Sequence, residues 1–257
     1  MRRINVIVLV IIVALIILTD AVVSSIRLYP TRIERKLESR AHQEKILVTN
    51  SMDDAVYCVV TMVDGGHDID GRPVLLDSYP SELVTVCPRE FILTQGESMA
   101  VEVIVSPRAA EDKRVLSPIV VFDFTPTSSM NESSVTRSSV RVGVITLLTL
   151  PGDHEVRGQI RDISVRHVDD GKMLEFAVIV DNLGDVHFRP EGYVRLVQEG
   201  LEVCRLKVET GVVLPGYARI LKARWNIEEM LRGACLAQVV LTLDDGSKLT
   251  ADMSFDI

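Results

Sequence analysis

Few residues in this chain have the types and spacings that do chemistry, and most of them stand alone. The five histidines, His42, His67, His154, His167 and His187, include no pair at the i,i+4 spacing that sets two imidazoles on one helix face for a metal. The sequence contains no GxSxG, HExxH, Walker loop or GxGxxG. It therefore has no local signature of an activated serine, a zinc protease or a nucleotide cradle. Carboxylates are plentiful, but a catalytic pair is defined by distance in space. The chain reads as non-enzymatic, with no cofactor. The acidic stretch "DGGHDIDG", residues 64–71, sets Asp68, Asp70 and Gly71 like half of a calcium loop. Its first ligand position holds Gly66, and its twelfth holds Asp77 where a bidentate Glu is wanted. A solvated acidic hairpin accounts for the same residues, and no metal site is assigned.

Three further features carry alternatives. Arg32 lies in "SIRLYPTRIERK", the first polar stretch of the chain, and is either a cation that holds a partner's carboxylate or a solvated charge. Cys58, Cys87, Cys204 and Cys235 fall as one pair in each half, with about thirty residues between partners and no CxxC. An oxidising compartment allows two intradomain disulfides, Cys58–Cys87 and Cys204–Cys235. The same residues also suit four buried thiols, because cysteine packs as a small hydrophobe. In "DNLGDVHFRPEGYVRL", His187 and Arg189 sit beside two turns. That stretch is a binding loop, or an Asn-x-Gly turn followed by Pro190 and Gly192 shaping entry into a strand; the turn reading is preferred. The single tryptophan, Trp225, reads as core.

The elements that must position these residues are strands. Apolar residues make up 47% and charged residues 25%, which suits a folded globular chain. A formal net charge of −8 gives no long-range attraction for phosphate, which excludes nucleic acid as a partner. Val, Ile and Thr alternate in short runs such as "KILVTN", "AVYCVVTMV", "ESMAVEVIV" and "VRVGVITLLTL", separated by turn residues. A second series follows Pro151-Gly152-Asp153, so residues 26–151 and 152–257 read as two immunoglobulin-like β-sandwiches in tandem, all-β in class. The short junction predicts a nearly fixed angle between them. "NIEEMLRG" is the one helical turn, and "TPTSSMNESSVTRSS" is a mobile loop carrying a formal N-glycosylation acceptor at Asn131. Residues 1–25 open with Arg2 and Arg3 and continue in an apolar run from Ile4 to Leu18, the grammar of an export signal or membrane anchor. Either reading places Ile26 onward in the periplasm or another extracytoplasmic space, with membrane contact only through residues 1–25, as a cleaved signal or as a retained anchor in the cytoplasmic membrane.

The segments "LYPTRIERK", "KILVTNS", "AVYCVVTMVDG", "VTVCPREFILTQGESMAVEVIV", "LSPIVVFDFTP" and "VRVGVITLLTLP" together resemble the first domain of the periplasmic pilus-assembly chaperones, the PapD-like group. The resemblance covers about residues 26–151. It implies a chaperone that lends the last strand of its first domain to an incomplete pilus-type subunit, a β-augmentation. It also implies a basic pair in the cleft between domains, an Arg on the opening strand and a Lys on the last, that captures the subunit's terminal carboxylate. Arg32 falls on the Arg position, whereas Thr146 stands where the Lys is expected. Val140, Val142 and Val144 would form the pairing edge. The implied partner is another exported or surface protein of the pilus-subunit kind. The competing reading is a membrane-anchored structural or adhesive surface protein that uses immunoglobulin-like domains as spacers.

Overall fold

The computed structural model describes residues 25–78, 82–106, 114–128, 139–170, 172–226 and 233–256. The signal or anchor segment, the glycosylation acceptor, most of the serine-rich loop and the helical turn lie outside them. Strands are the regular elements of the described residues, and they form two sandwiches.

In the first sandwich, one sheet has the order β1 (Ile26–Tyr29), β3 (His42–Asn50), β8 (Ser98–Val105), β6 (Val84–Cys87). The facing sheet has the order β2 (Arg32–Lys36), β11 (Val140–Thr149), β10 (Pro118–Pro126), β4 (Val56–His67), β5 (Pro73–Leu75). The short strands β7 (Glu90–Leu93) and β9 (Val115–Leu116) pair with β4 and β11. The opening segment is shared between the sheets. β1 pairs antiparallel with β3, then Pro30, which has no N–H to give a ladder, marks the crossing, and β2 pairs parallel with β11. Inward residues of both sheets form one core around Phe122 and Phe124, whose rings stack at 6.1 Å. β10 is a near-continuous apolar run because Ile119 and Val121 on its other face are buried as well.

The second sandwich packs the sheet β12 (Gly158–Val168), β13 (Met173–Asn182), β16 (Ala218–Asn226) on the sheet β15 (Leu201–Lys207), β14 (Glu191–Gln198), β17 (Ala234–Thr242), β18 (Lys248–Asp256). Phe176 meets Phe255 edge-on across its core, and Trp225 packs against that core. On the outer face of β13, the buried carboxylate of Glu175 accepts hydrogen bonds from Arg166 and Arg224, its neighbours on β12 and β16.

Both sandwiches end an early strand on the same device. Asn50 closes β3; its amide donates to the carbonyls of Asp54 and Leu93, and its oxygen accepts the Met52 N–H. Asn182 closes β13; its amide donates to Val186 and Val213, and its oxygen accepts the Gly184 N–H. Each side chain is almost fully buried, and each satisfies three backbone groups that would otherwise be stranded at a strand end.

Neither cysteine pair is bridged, and all four thiols are free. Cys58 is buried in the core from β4, whereas Cys87 closes β6 in the facing sheet with its side chain exposed, so the two point apart. Cys204 and Cys235 lie on β15 and β17 with β14 between them. Two strand spacings of about 4.8 Å exceed what a disulfide spans. Burial, helped by the charge of Asp123, pushes the Cys58 thiol up to about 12, which makes it inert. Reductant is therefore expected to leave Tm unchanged, with Cys87 alkylated in the native protein and Cys58 only after unfolding. A Tm that falls by several degrees on reduction would contradict the thiol arrangement.

Candidate functional site

β4 is longer than the strands beside it, and the hairpin that follows reaches the second sandwich. There the Ile220 N–H donates to the Ile69 carbonyl at 2.7 Å. His67, at the end of β4, donates from Nδ1 to the Asp68 carbonyl at 2.8 Å, and its Nε2 accepts the Leu214 N–H at 3.1 Å. That pair of bonds requires the neutral ring, and burial accordingly lowers its pKa. The ring also packs on Tyr217 at 4.9 Å. The acidic stretch is thus the seam hairpin. Asp68 Oδ1 accepts the Arg72 N–H, and Asp70 pairs with Lys222 of β16 at 3.7 Å.

The second tie across the seam centres on Glu34 of β2. Arg189 grips its carboxylate with both ends of the guanidinium, and Nη1 to Oε1 is 2.7 Å. His187 Nε2 lies 3.1 Å from the same Oε1, and Arg32 Nη2 lies 3.4 Å from Oε2. Burial alone would raise Glu34, but the hydrogen bonds from Arg189 and His187, with the charge of Arg189, outweigh it and bring the group down to about 2. Burial lowers the pKa of His187 against the opposing pull of Glu34, so the ring is neutral and donates from Nε2; its Nδ1 has no partner among the described residues. The loop that presents these two residues is held by a bridge between Phe188 and Val213 and by Asp244, which accepts the Arg189 N–H at 3.1 Å.

Beside this latch lies an open cavity of about 440 Å³, lined by Arg32, Arg189 and Arg219 and by Ile145, Leu147 and Leu214. Arg219, on β16, donates from Nη1 to the Val212 carbonyl at 3.0 Å. Its guanidinium is sandwiched between Gly71 of the seam hairpin and Gly211. A Cβ at Gly71 would stand 2.1 Å from Cζ, and one at Gly211 would stand 2.2 Å away. A side chain at either place would displace the guanidinium, and Gly71 also takes a positive φ of 80°. Burial lowers the Arg219 pKa, as does the charge of Arg32, while Asp68 and Glu209 act in the opposite sense from beyond contact. Among the described residues, Arg219 makes no ion pair.

The residues expected from the sequence are partly brought together. Arg32 stands in the cleft with its side chain 42% exposed. Thr146 does not: it is fully buried, faces the sandwich interior and donates to the Pro118 carbonyl at 2.6 Å. Its neighbours Ile145 and Leu147 face the cleft instead, so a cation at 146 would point the wrong way. The cleft's other cations come from the second sandwich, as Arg189 and Arg219. Val140, Val142 and Val144 pair with β10 on one side. On the other side β2 covers β11 only from Ile145 to Thr149, and no described strand pairs with Val140–Val144. The side chain of Val144 is fully buried and that of Val140 is 48% exposed. Val144 therefore offers a partner its backbone alone. Sequence reasoning missed Glu34, Gly211 and Arg219, and it noted Gly71 only as part of a calcium-like half-loop. Glu34 had a usable signal, because i,i+2 residues of a strand share a face and it follows Arg32 by two.

No protein-family model and no curated protein sequence matches the chain. Solved structures similar to it include the class 5 fimbriae chaperone CfaA, with 13% identity, a TM-score of 0.49, and coverage of 89% of this chain and 98% of that one. The CsuC–CsuE chaperone–tip adhesion subunit pre-assembly complex of Acinetobacter baumannii Csu pili is similar at 13% identity and a TM-score of 0.45, over 89% of this chain and 97% of that one. The Pseudomonas aeruginosa CupB2 chaperone is similar at 14% identity and a TM-score of 0.43, over 89% of this chain and all of that one.

The latch makes a pH prediction. A carboxylate depressed from 4.5 to about 2 contributes stability that is present above about pH 4.5 and lost as pH falls towards 2. Glu34→Gln is expected to lower Tm near neutral pH, and its difference from wild type should shrink through that window. A difference that stays constant from neutral pH to about pH 2 would contradict it.

Proposed function

We propose that this chain is a non-enzymatic, exported, chaperone-like protein that binds another exported protein, of the pilus-subunit kind, by strand addition at β11 and by capture of the partner's terminal carboxylate at Arg32. The observation that carries the reading is where the edge of β11 that no described strand covers comes to its end. It runs along Val140–Val144 and stops at Ile145, where β2 begins with Arg32 opposite. A strand added along that edge would pair its backbone with β11 and meet β2 end to end. If its last residue is the one that meets β2, it runs parallel to β11, as β2 does. Its carboxylate then arrives at a guanidinium, the geometry of a charge-assisted hydrogen bond.

Strand addition suits a partner that lacks an edge strand of its own, since an unpaired edge is an aggregation hazard for both proteins. The exposed Val140 and half-buried Val142 would extend the first sandwich's core into such a partner. The resemblance of residues 26–151 to the PapD-like chaperones supports the same reading, as does the signal-like sequence of residues 1–25 for a periplasmic location. A spacer domain has no need of an open edge that terminates on a cation.

Fluorescence anisotropy with a labelled peptide of alternating valine and threonine tests the proposal. The free-acid peptide is expected to bind about tenfold or more tighter than its C-terminal amide. Arg32→Ala should erase most of that difference while changing stability by no more than about 0.5 kcal/mol. Equal binding of acid and amide would remove the carboxylate anchor. Failure of both peptides to bind would remove strand addition as well.

A further inference from the structure

Two histidines cross the seam between the sandwiches, one from each side. His67 reaches into the second sandwich, where its Nε2 accepts the Leu214 N–H at 3.1 Å, while its Nδ1 donates to the Asp68 carbonyl. His187 reaches back from the second sandwich, with Nε2 3.1 Å from Oε1 of Glu34. Both rings are buried, at 8% and 7% exposure. Neither has room for a second proton. On His67 it would sit on Nε2 and set one N–H donor against that of Leu214. On His187 it would sit on Nδ1, a buried atom with no hydrogen-bond partner among the described residues. His67 faces Asp68 on its own hairpin and Tyr217 and Arg219 on the second sandwich. It borders the cavity that Arg32 and Arg189 also line, with the Asp70–Lys222 pair farther along the hairpin. His187 faces Glu34 from β2 and Arg189 and Asp244 from its own sandwich, with Arg32 at the far oxygen of Glu34. Burial is the largest influence on both rings and holds them below the ordinary histidine value. Arg219 adds to it at His67 and Arg189 at His187, against the pull of Asp68, Glu34 and Asp244.

We infer that the seam is a proton-operated hinge: neutral rings keep the hairpin after β4 docked on the second sandwich, and in mild acid protonation of His67 and His187 parts that contact, with the Glu34–Arg189 pair left as the pivot. The sign follows from where each ring is free to charge. In an opened seam the rings meet water and protonate as pH falls through about 6.5, whereas in the closed seam they resist. Closure is therefore fully stable above about pH 6.5 and weakens below it. Glu34, held at about 2, keeps its charge and its grip on Arg189 through that window. Two rings acting together make the response steep. Below about pH 6, one ring raises the opening constant by up to about tenfold per pH unit, and two raise it by up to about a hundredfold. The cavity beside Arg32 is lined from both sandwiches, so opening at the hairpin reshapes it. Neither ring lies on β11, and the hinge operates whether or not a strand is added there.

Residue-resolved amide exchange of the full chain at about pH 7.5 and about pH 5.5, corrected for the intrinsic effect of pH, tests this. The Leu214 and Ile220 amides bond His67 and Ile69 across the seam. Their protection is expected to fall about tenfold or more in acid, while that of Val101 and Val178 in the two cores is unchanged. His67→Gln and His187→Gln keep an acceptor or a donor near the Nε2 position and take up no proton. Each alone should roughly halve the logarithmic fall, and the double variant should abolish it. No fall in wild type, an equal fall in the double variant, or a fall shared by the cores overturns the hinge. Should the glutamine variants fail to fold, nitrogen NMR shifts of the wild-type rings decide. At neutral pH His67 should carry its proton on Nδ1 and His187 on Nε2, and both should titrate below about 6.5 together with the loss of Leu214 protection. Either ring charged or in the other tautomer at neutral pH, or Leu214 protection that outlasts both titrations, overturns it.

Discussion

The carboxylate of Glu34 is the contact on which the cleft depends. It is a first-sandwich group held by Arg189 and His187 of the second, with Arg32 at its outer side. Without it, guanidiniums from both sandwiches would face one another across a partly desolvated gap, and like charges in such a gap repel. With it, Arg189 is neutralised and Arg32 is aimed, while Arg219 stays free of any described carboxylate. The relative placement of the sandwiches and the charge of the cleft therefore meet at this side chain, beside the tie that the seam hairpin makes.

Two strand features make that placement possible. β4 outruns its sheet, which carries His67 and the Ile69 carbonyl far enough to bond the second sandwich. The neutral His67 ring is an acceptor there, so acid that protonates it would cost the Leu214 bond. β2 is the other feature. By changing sheets after Pro30 it covers half of one edge of β11 and leaves the other half with no described strand beside it. The same short segment thus closes part of an edge and carries both Arg32 and Glu34.

Much of the fold was legible in the sequence because strand alternation and turn residues are local signals. The runs around Ile46, Val101, Phe122 and Val178 show their inward faces directly. The short strands β5 and β7 were not legible, since three or four residues carry little period. The site was legible only where its residues lie on one strand. Arg32 could be located by its neighbours, but a partner cation at Thr146 could not be judged without knowing which face that residue takes. A one-residue shift along β11 exchanges Thr146 for Ile145 or Leu147 and moves the side chain from interior to cleft. Arg189 and Arg219 are brought to Arg32 by the packing of two sandwiches, a relation with no trace in local sequence. The cysteines illustrate the same limit, because similar spacing in each half says nothing about which sheet or which face each thiol occupies.

Amide hydrogen exchange resolved by residue tests the central claim, that β11 carries a free edge ending at Arg32. In the unliganded protein, alternate amides within Val140–Val144 should exchange rapidly, while those of Ile145–Thr149 that face β2 are slow. Saturation with the free-acid peptide of alternating valine and threonine should slow the rapid set and leave the outer edge of β15 unchanged. Edge amides of Val140–Val144 that are already protected in the free protein, or a peptide that protects another edge and not this one, would contradict it.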